Sequence, residues 1–152
     1  MSHRADPTAD SAPVPLGAID RVRLLGLVWR TAAQVSIGLR RQPLPALVSR
    51  LDKTDGSQRR PVGLMSHAVS RGLRVGAWQP RCLVRALVLY RLLRAQGESA
   101  VLVIGLADDR PSKEAHAWVE VNGRDVGPWP GAFGHRALAR YPVEAGHHDD
   151  GS

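Results

Sequence analysis

The chain has 152 residues, a hydrophobic fraction of 43% and a formal net charge of +7, with almost all of the basic side chains arginine. That length suits one domain with modest tails. It contains no run of about 18 uncharged apolar residues that would predict a membrane span, and residues 1–15 lack the apolar core of a secretion signal. Its single cysteine, Cys82, excludes an intramolecular disulfide framework and makes a reducing cytoplasm the simplest compartment.

Taken in chain order, residues 1–15 are rich in Pro, Ala, Ser, Thr and Asp without periodicity, which predicts a disordered tail. From Leu16 to Arg40 the spacing of Ile19, Val22, Leu25, Trp29, Ala33 and Ile37 predicts a helix. Gln42-Pro-Leu-Pro45 breaks it, and a short helix over Ala46–Leu51 follows. Asp52–Pro61 reads as a polar loop, Gly63–Val75 as a further helix, and Gly76–Pro80 as the lead into the next element. Cys82 opens that element, a helix that places Leu83, Ala86, Leu87, Tyr90 and Leu93 on one side, with Gly97 as its C-terminal cap. Arg81, Arg85, Arg91 and Arg94 approximate a solvated face.

After Gly97 the character changes. Ser99–Ala107 is rich in Val, Leu and Ile and predicts a buried strand. A polar loop, Asp108–Glu114, precedes Ala115–Val121, in which His116, Trp118 and Glu120 alternate with Ala117, Val119 and Val121. Asn122-Gly123 is a strong two-residue hairpin turn, and Arg124–Val126 returns antiparallel. Helices followed by a small sheet make an α+β pattern. Residues 144–152 read as a flexible tail in which His147 and His148 are adjacent. The predicted organisation is one domain over residues 16–143, helical over 16–75 and with the chemistry in 76–143.

Cys82 stands where a nucleophile belongs. A helix start carries a partial positive charge and free backbone N–H groups. Both favour a thiolate, the reactive form of a cysteine, and the amides can also hold an oxyanion. A thiol nucleophile needs a base, and His116 on the sheet is positioned to be one. The same residue types also fit a plain structural role, since free cysteine is among the most buried residue types. Gln79, three residues before Cys82, is a further candidate oxyanion donor, and Trp118 and Trp129 could line a groove or fill the core. A basic surface attracts nucleic acid, membranes or acidic polypeptides. A non-enzymatic basic adaptor is therefore a rival reading, weakened by the lack of a nucleic-acid motif and by an aromatic content of only 5%.

The run Cys82–Gly97, then Val103–Leu106, then Ala115-His-Ala-Trp-Val-Glu-Val-Asn-Gly123 resembles the nucleophile helix and sheet of lasso-peptide leader peptidases. These belong to the transglutaminase-like cysteine protease superfamily. The resemblance spans about Pro80 to Gly127. It implies a papain/transglutaminase-like α+β fold, with N-terminal helices and a nucleophile helix packed on a small antiparallel sheet. It implies a cysteine protease that removes the leader of a ribosomally made precursor, with Cys82 as nucleophile, His116 as general base and no cofactor or metal. Its implied partners are the precursor peptide, a separate leader-binding recognition protein and the ATP-dependent macrolactam cyclase. An acyl transferase on the related fold would use the same pair.

The family's third member is an acid about a dozen residues after the histidine, where this chain has Gly127-Pro-Trp129. Asp125 is the nearest acid on the returning strand. A two-residue turn pairs it with Glu120, which at ~3.3 Å per residue leaves it about 13 Å from His116 along the strand. Glu120, Asp108 and Asp109 are the other acids in reach of the argument, and a dyad without an acid stays open.

Overall fold

The computed structural model describes residues 15–74, 81–107, 115–128, 132 and 134–142. The predicted tails and the His147–His148 pair lie outside these residues, as do Gln79, Trp129 and the Asp108–Glu114 loop. Four helices precede a four-stranded antiparallel sheet: α1 (Ala18–Arg41), α2 (Leu44–Leu51), α3 (Val62–Gly72), α4 (Cys82–Ala95), β1 (Ala100–Ala107), β2 (Ala115–Val121), β3 (Arg124–Gly127) and β4 (His135–Tyr141). The strand order is β3-β2-β1-β4. This is the predicted α+β order, helices followed by a small antiparallel sheet.

Helix α4 lies at the centre. Its consecutive residues Ala86, Leu87, Val88, Leu89 and Tyr90 are all fully buried, as is Leu93, so it is enclosed on every side. It therefore lacks the single buried side that the sequence spacing predicted. One side packs on Leu102, Ala117, Val119 and Val121 of the sheet, the other against α1 and α3. Each such Leu or Val contributes roughly 1.5–3 kcal/mol by leaving water. The helix ends where predicted. Gly97, at φ 87°, donates to the Arg94 carbonyl, and the Glu98 N–H reaches the Leu93 carbonyl, closing a Schellman motif.

Two of the arginines read as a solvated face have structural work. Arg91 bonds Asp55 and the Lys53 carbonyl, and Arg94 bonds Asp52. Gln96 adds a reciprocal pair with the Arg60 backbone at 2.8 and 3.2 Å. Together they hold the irregular segment 52–60 against the C-terminal end of α4.

Helix α1 forms as the spacing predicted. Leu24, Val28, Ala32 and Val35 are its buried stripe, whereas Ile19, Val22 and Ile37 are 69%, 70% and 50% exposed. The residues that marked the helix therefore lie on a different face from the one it buries. No helix among the described residues is long and apolar enough to cross a membrane.

In the sheet, β2 and β3 form the predicted hairpin. Asn122 and Gly123 both take left-handed φ, 52° and 74°, as a type I′ turn requires. Glu120 stands opposite Asp125. β3 pairs with β2 over Val119–Val121, so among the described residues the β2 edge at Ala115 and His116 has no strand beside it on that side. The β4 strand, absent from the sequence reading, pairs with β1 on the far side.

Candidate active site

Cys82 is the first residue of α4, behind an extended Arg81 at the N-cap. No side chain among the described residues caps this helix start, and the first intrahelical bonds run from Val84 and Arg85 to the Arg81 carbonyl. The Cys82 and Leu83 amides precede the helical ladder, as the first amides of any helix do. The thiol is half-buried and donates to the Ala115 carbonyl oxygen at 3.8 Å. The helix start is thus seated on β2 one residue from His116, at the stretch of strand that β3 leaves uncovered. No hydrogen bond joins the Cys82 thiol and the His116 ring among the described residues.

His116 is half-buried, and its Nε2 is enclosed without a hydrogen-bond partner among the described residues. Strand alternation sends Ala117, Val119 and Val121 into the α4 core, so His116, Trp118 and Glu120 occupy the opposite face. Burial pushes the His116 imidazole below its ordinary value. The charges of His135 and Arg85 push the same way, and Asp125 opposes them weakly. The net result favours a neutral ring, the form that can accept a proton.

Asp125 sits at the predicted register, opposite Glu120. Its two oxygens accept from the backbone amides of Gly127 at 2.8 Å and Ala132 at 2.6 Å. Its hydrogen bonds therefore tie down the chain leaving β3, and its influence on His116 is through space. Glu120 is committed elsewhere, accepting from Trp118 Nε1 at 3.1 Å and Arg140 at 2.6 Å. Burial opposes its charge, but these donors more than compensate and hold its carboxyl below the usual range. Trp118 is 1% exposed and fills the outer face of the sheet, so it packs there and does not line an open groove.

Two neighbours of the pair were not read as part of the site by sequence. Arg85, one turn after Cys82 and read as part of a solvated face, has Nε and Nη2 buried without hydrogen-bond partners among the described residues. Burial, and then repulsion from Arg74, pull its guanidinium below the usual range, while a charge on Cys82 acts the other way. Its position on the helix was readable, but the burial of its head was not. His135, on β4, stacks on His116 with ring centroids 4.7 Å apart and planes at 25°. No local signal marked it, because its strand, His-Arg-Ala-Leu-Ala-Arg-Tyr, has no β-branched residue.

An open groove on the described surface lies between α1 and α3. It is lined by Leu16, Leu25, Leu64 and Ala68 with Arg21 and Arg71, and none of the predicted site residues borders it.

A half-buried thiol at a helix start, seated beside a strand-borne imidazole, is an arrangement suited to acyl transfer through a thioester. No curated protein and no solved structure matches the chain. Residues 23–132 match the Transglutaminase-like superfamily, a grouping of cysteine-protease and acyltransferase type. That span takes in α1 from its second turn, the whole of α4 and the first three strands, and the chain belongs to this superfamily.

Proposed function

We propose that the chain is a cysteine peptidase that removes the leader from a ribosomally made lasso-peptide precursor, before a separate cyclase closes the macrolactam. The observation that carries the reading is the seating of Cys82 on Ala115, next to His116, within a transglutaminase-like domain. The ordered likeness from Pro80 to Gly127 supplies the substrate class. A cytoplasmic site of action fits the need for a reduced thiol.

In this mechanism neutral His116 takes the Cys82 proton, and the sulfur attacks the carbonyl carbon of the last leader residue. The oxyanion forms within reach of the first amides of α4. Collapse breaks the C–N bond, leaves the leader as a thioester on Cys82 and passes the proton from His116 to the departing core amine. His116 then takes a proton from water, the hydroxide attacks the thioester, and the thiol is restored. Asp125 enters as a third member through its charge alone, since its hydrogen bonds go to Gly127 and Ala132.

The leader reaches the site through a separate recognition protein that docks on α1. Ile19, Val22, Gly26, Trp29, Ala33 and Ile37 form an outward apolar stripe, and Arg23, Arg30 and Arg41 share one flank of it. Such a surface complements an apolar partner face edged with acidic residues. Val22→Glu combined with Ile37→Glu should abolish binding of that protein while leaving the thermal midpoint unchanged, because both side chains face water in the free chain. Undiminished binding would remove α1 as the docking site.

The experiment for the activity combines the chain, the recognition protein and the linked precursor, with product masses as the readout. Hydrolysis adds one water across the cleaved bond, and Cys82→Ala or His116→Ala abolishes it. Full cleavage in either variant overturns the proposal. The superfamily match accommodates acyl transfer to an amine equally well, and a product carrying a supplied amine in place of water would establish that reading instead.

A further inference from the structure

We propose that His135 is a positioning residue that acts through His116, fixing the plane of its ring by stacking and opposing a second positive charge beside it. The inference rests on the assignment of His116 as the general base. His135 lies three residues beyond the span matched to the superfamily.

The sheet creates the contact. His116 stands opposite Gly105 on β1, and His135 stands opposite Ala107 on the other side of the same strand. Both imidazoles therefore reach across β1 on the face turned away from α4. Gly105 keeps the space between them low. A Cβ there would lie 2.5 Å from the Arg136 carbonyl oxygen and 2.7 Å from the Trp118 ring. Trp118 also flanks His135, with centroids 6.2 Å apart and planes at 47°. The His116 ring thus has a neighbouring imidazole on its face, and that imidazole is itself backed by a fully buried indole.

Stacking at 4.7 Å has an electrostatic consequence: a positive charge on the neighbouring imidazole opposes one on His116. The charged groups acting on His116 from the other elements are Arg85 on α4 and Asp125 on β3, while the Cys82 thiol stands on the Ala115 carbonyl one residue away; β1 contributes Gly105. Glu120, on the same strand face, is engaged by Arg140 and Trp118. Of the carboxylates near His116, one is tied to backbone amides and the other to Arg140 and Trp118, while two cationic or potentially cationic groups stand close. His135 is thus placed to keep His116 a neutral proton acceptor. Asp125, in the role the family gives its acid, would favour the charged form.

The test uses His135→Phe, which keeps a stacking ring and removes the charge, and His135→Ala, which removes both. NMR titration of the His116 ring proton needs no substrate. Its midpoint should move to higher pH in both variants. In the cleavage assay the acid limb of kcat/KM should move the same way in both. At high pH His135→Phe should retain near-normal kcat, whereas His135→Ala should lose roughly 10-fold to 100-fold in kcat with KM little changed, because only the latter releases the ring. A thermal melt of each variant separates these effects from unfolding. An unmoved His116 midpoint in both variants overturns the inference even if the chain cleaves its precursor. A moved midpoint with no Cys82-dependent cleavage by the unsubstituted chain would leave the coupling intact and sink the peptidase assignment.

Discussion

Gly105 is the point where the outer face of the sheet is most tightly closed, and Gly105→Ala tests that packing directly. The added Cβ would meet the Arg136 carbonyl oxygen at 2.5 Å and two atoms of the Trp118 six-membered ring at 2.7 and 2.9 Å. Side-chain contacts of that kind are relieved by rotation, but Trp118 is 1% exposed and its Nε1 is held by Glu120, so the indole has little room to turn. The carbonyl belongs to β4, and moving it means pulling β4 from β1. Overpacking typically costs about 1–3 kcal/mol, and a backbone obstacle puts this site at the upper end. A loss of about 3 kcal/mol is a large share of the 5–15 kcal/mol that holds a typical domain together. Urea denaturation should show a lower midpoint with an unchanged slope. A double-mutant cycle divides the cost. Trp118→Phe removes the two ring atoms and leaves the carbonyl, so Gly105→Ala should cost about 1 kcal/mol less in the Phe background. Full additivity of the two substitutions, or a Gly105→Ala variant as stable as the parent, would refute the packing described for this face.

Three further outcomes follow from the same packing and electrostatics. Tyr90 is fully buried, its hydroxyl has no hydrogen-bond partner, and burial pushes its ionisation up to about 12, so Tyr90→Phe should leave stability unchanged or raise it by about 1 kcal/mol; a loss of that size in urea would reveal a bond the hydroxyl makes. Gly26 lies on the exposed side of α1 with nothing near its Cβ position, so Gly26→Ala should stabilise by roughly 0.5–1 kcal/mol from helix propensity alone, read as a higher thermal midpoint. His116 is depressed in the fold by burial, then by His135 and Arg85, so the unfolded chain binds its proton more readily. The stability tied to its neutral form is therefore complete above the ordinary histidine value of about 6.5 and is lost as pH falls through the lower folded value; His116→Gln should flatten that part of the stability–pH curve, and an unchanged curve would contradict the burial described here.

How much of this was readable beforehand depended on whether the information was local. The hairpin was legible because Asn122 and Gly123 carry their own conformational preference, and the Schellman end of α4 because Gly97 carries its own. The helices were legible from periodicity, but their orientation was not. α1 has apolar residues on two arcs, one through Leu24, Val28, Ala32 and Val35 and another through Ile19, Val22, Trp29 and Ile37. A period of 3.6 marks both equally, and only the position of α4 decides which is buried. The same limit explains α4 itself. Leu83, Ala86, Leu87, Tyr90 and Leu93 were assigned to one side, but a helix placed between a sheet and two other helices buries its whole circumference, and Arg91 and Arg94 reach outward to fasten segment 52–60.

The candidate site divides along the same line. Cys82 and His116 were legible because each lies within a recognisable element, a helix start and an alternating strand, in a familiar order. Asp125 was placed correctly opposite Glu120 by turn geometry, yet the destination of its carboxylate was not readable, since it depends on how the chain leaves β3 toward Ala132. His135 was invisible for a deeper reason. It meets His116 only because both strands pair with β1, through a register that shifts between Ile104 and Gly105. Strand alternation without that shift would still give a sheet, but it would carry the β4 side chains to the opposite face, with His135 on the α4 side and away from His116. The irregularity in β1–β4 pairing is therefore what brings the second imidazole to the first, and a residue near the end of the domain gains its influence on the site from a backbone feature that no side chain announces.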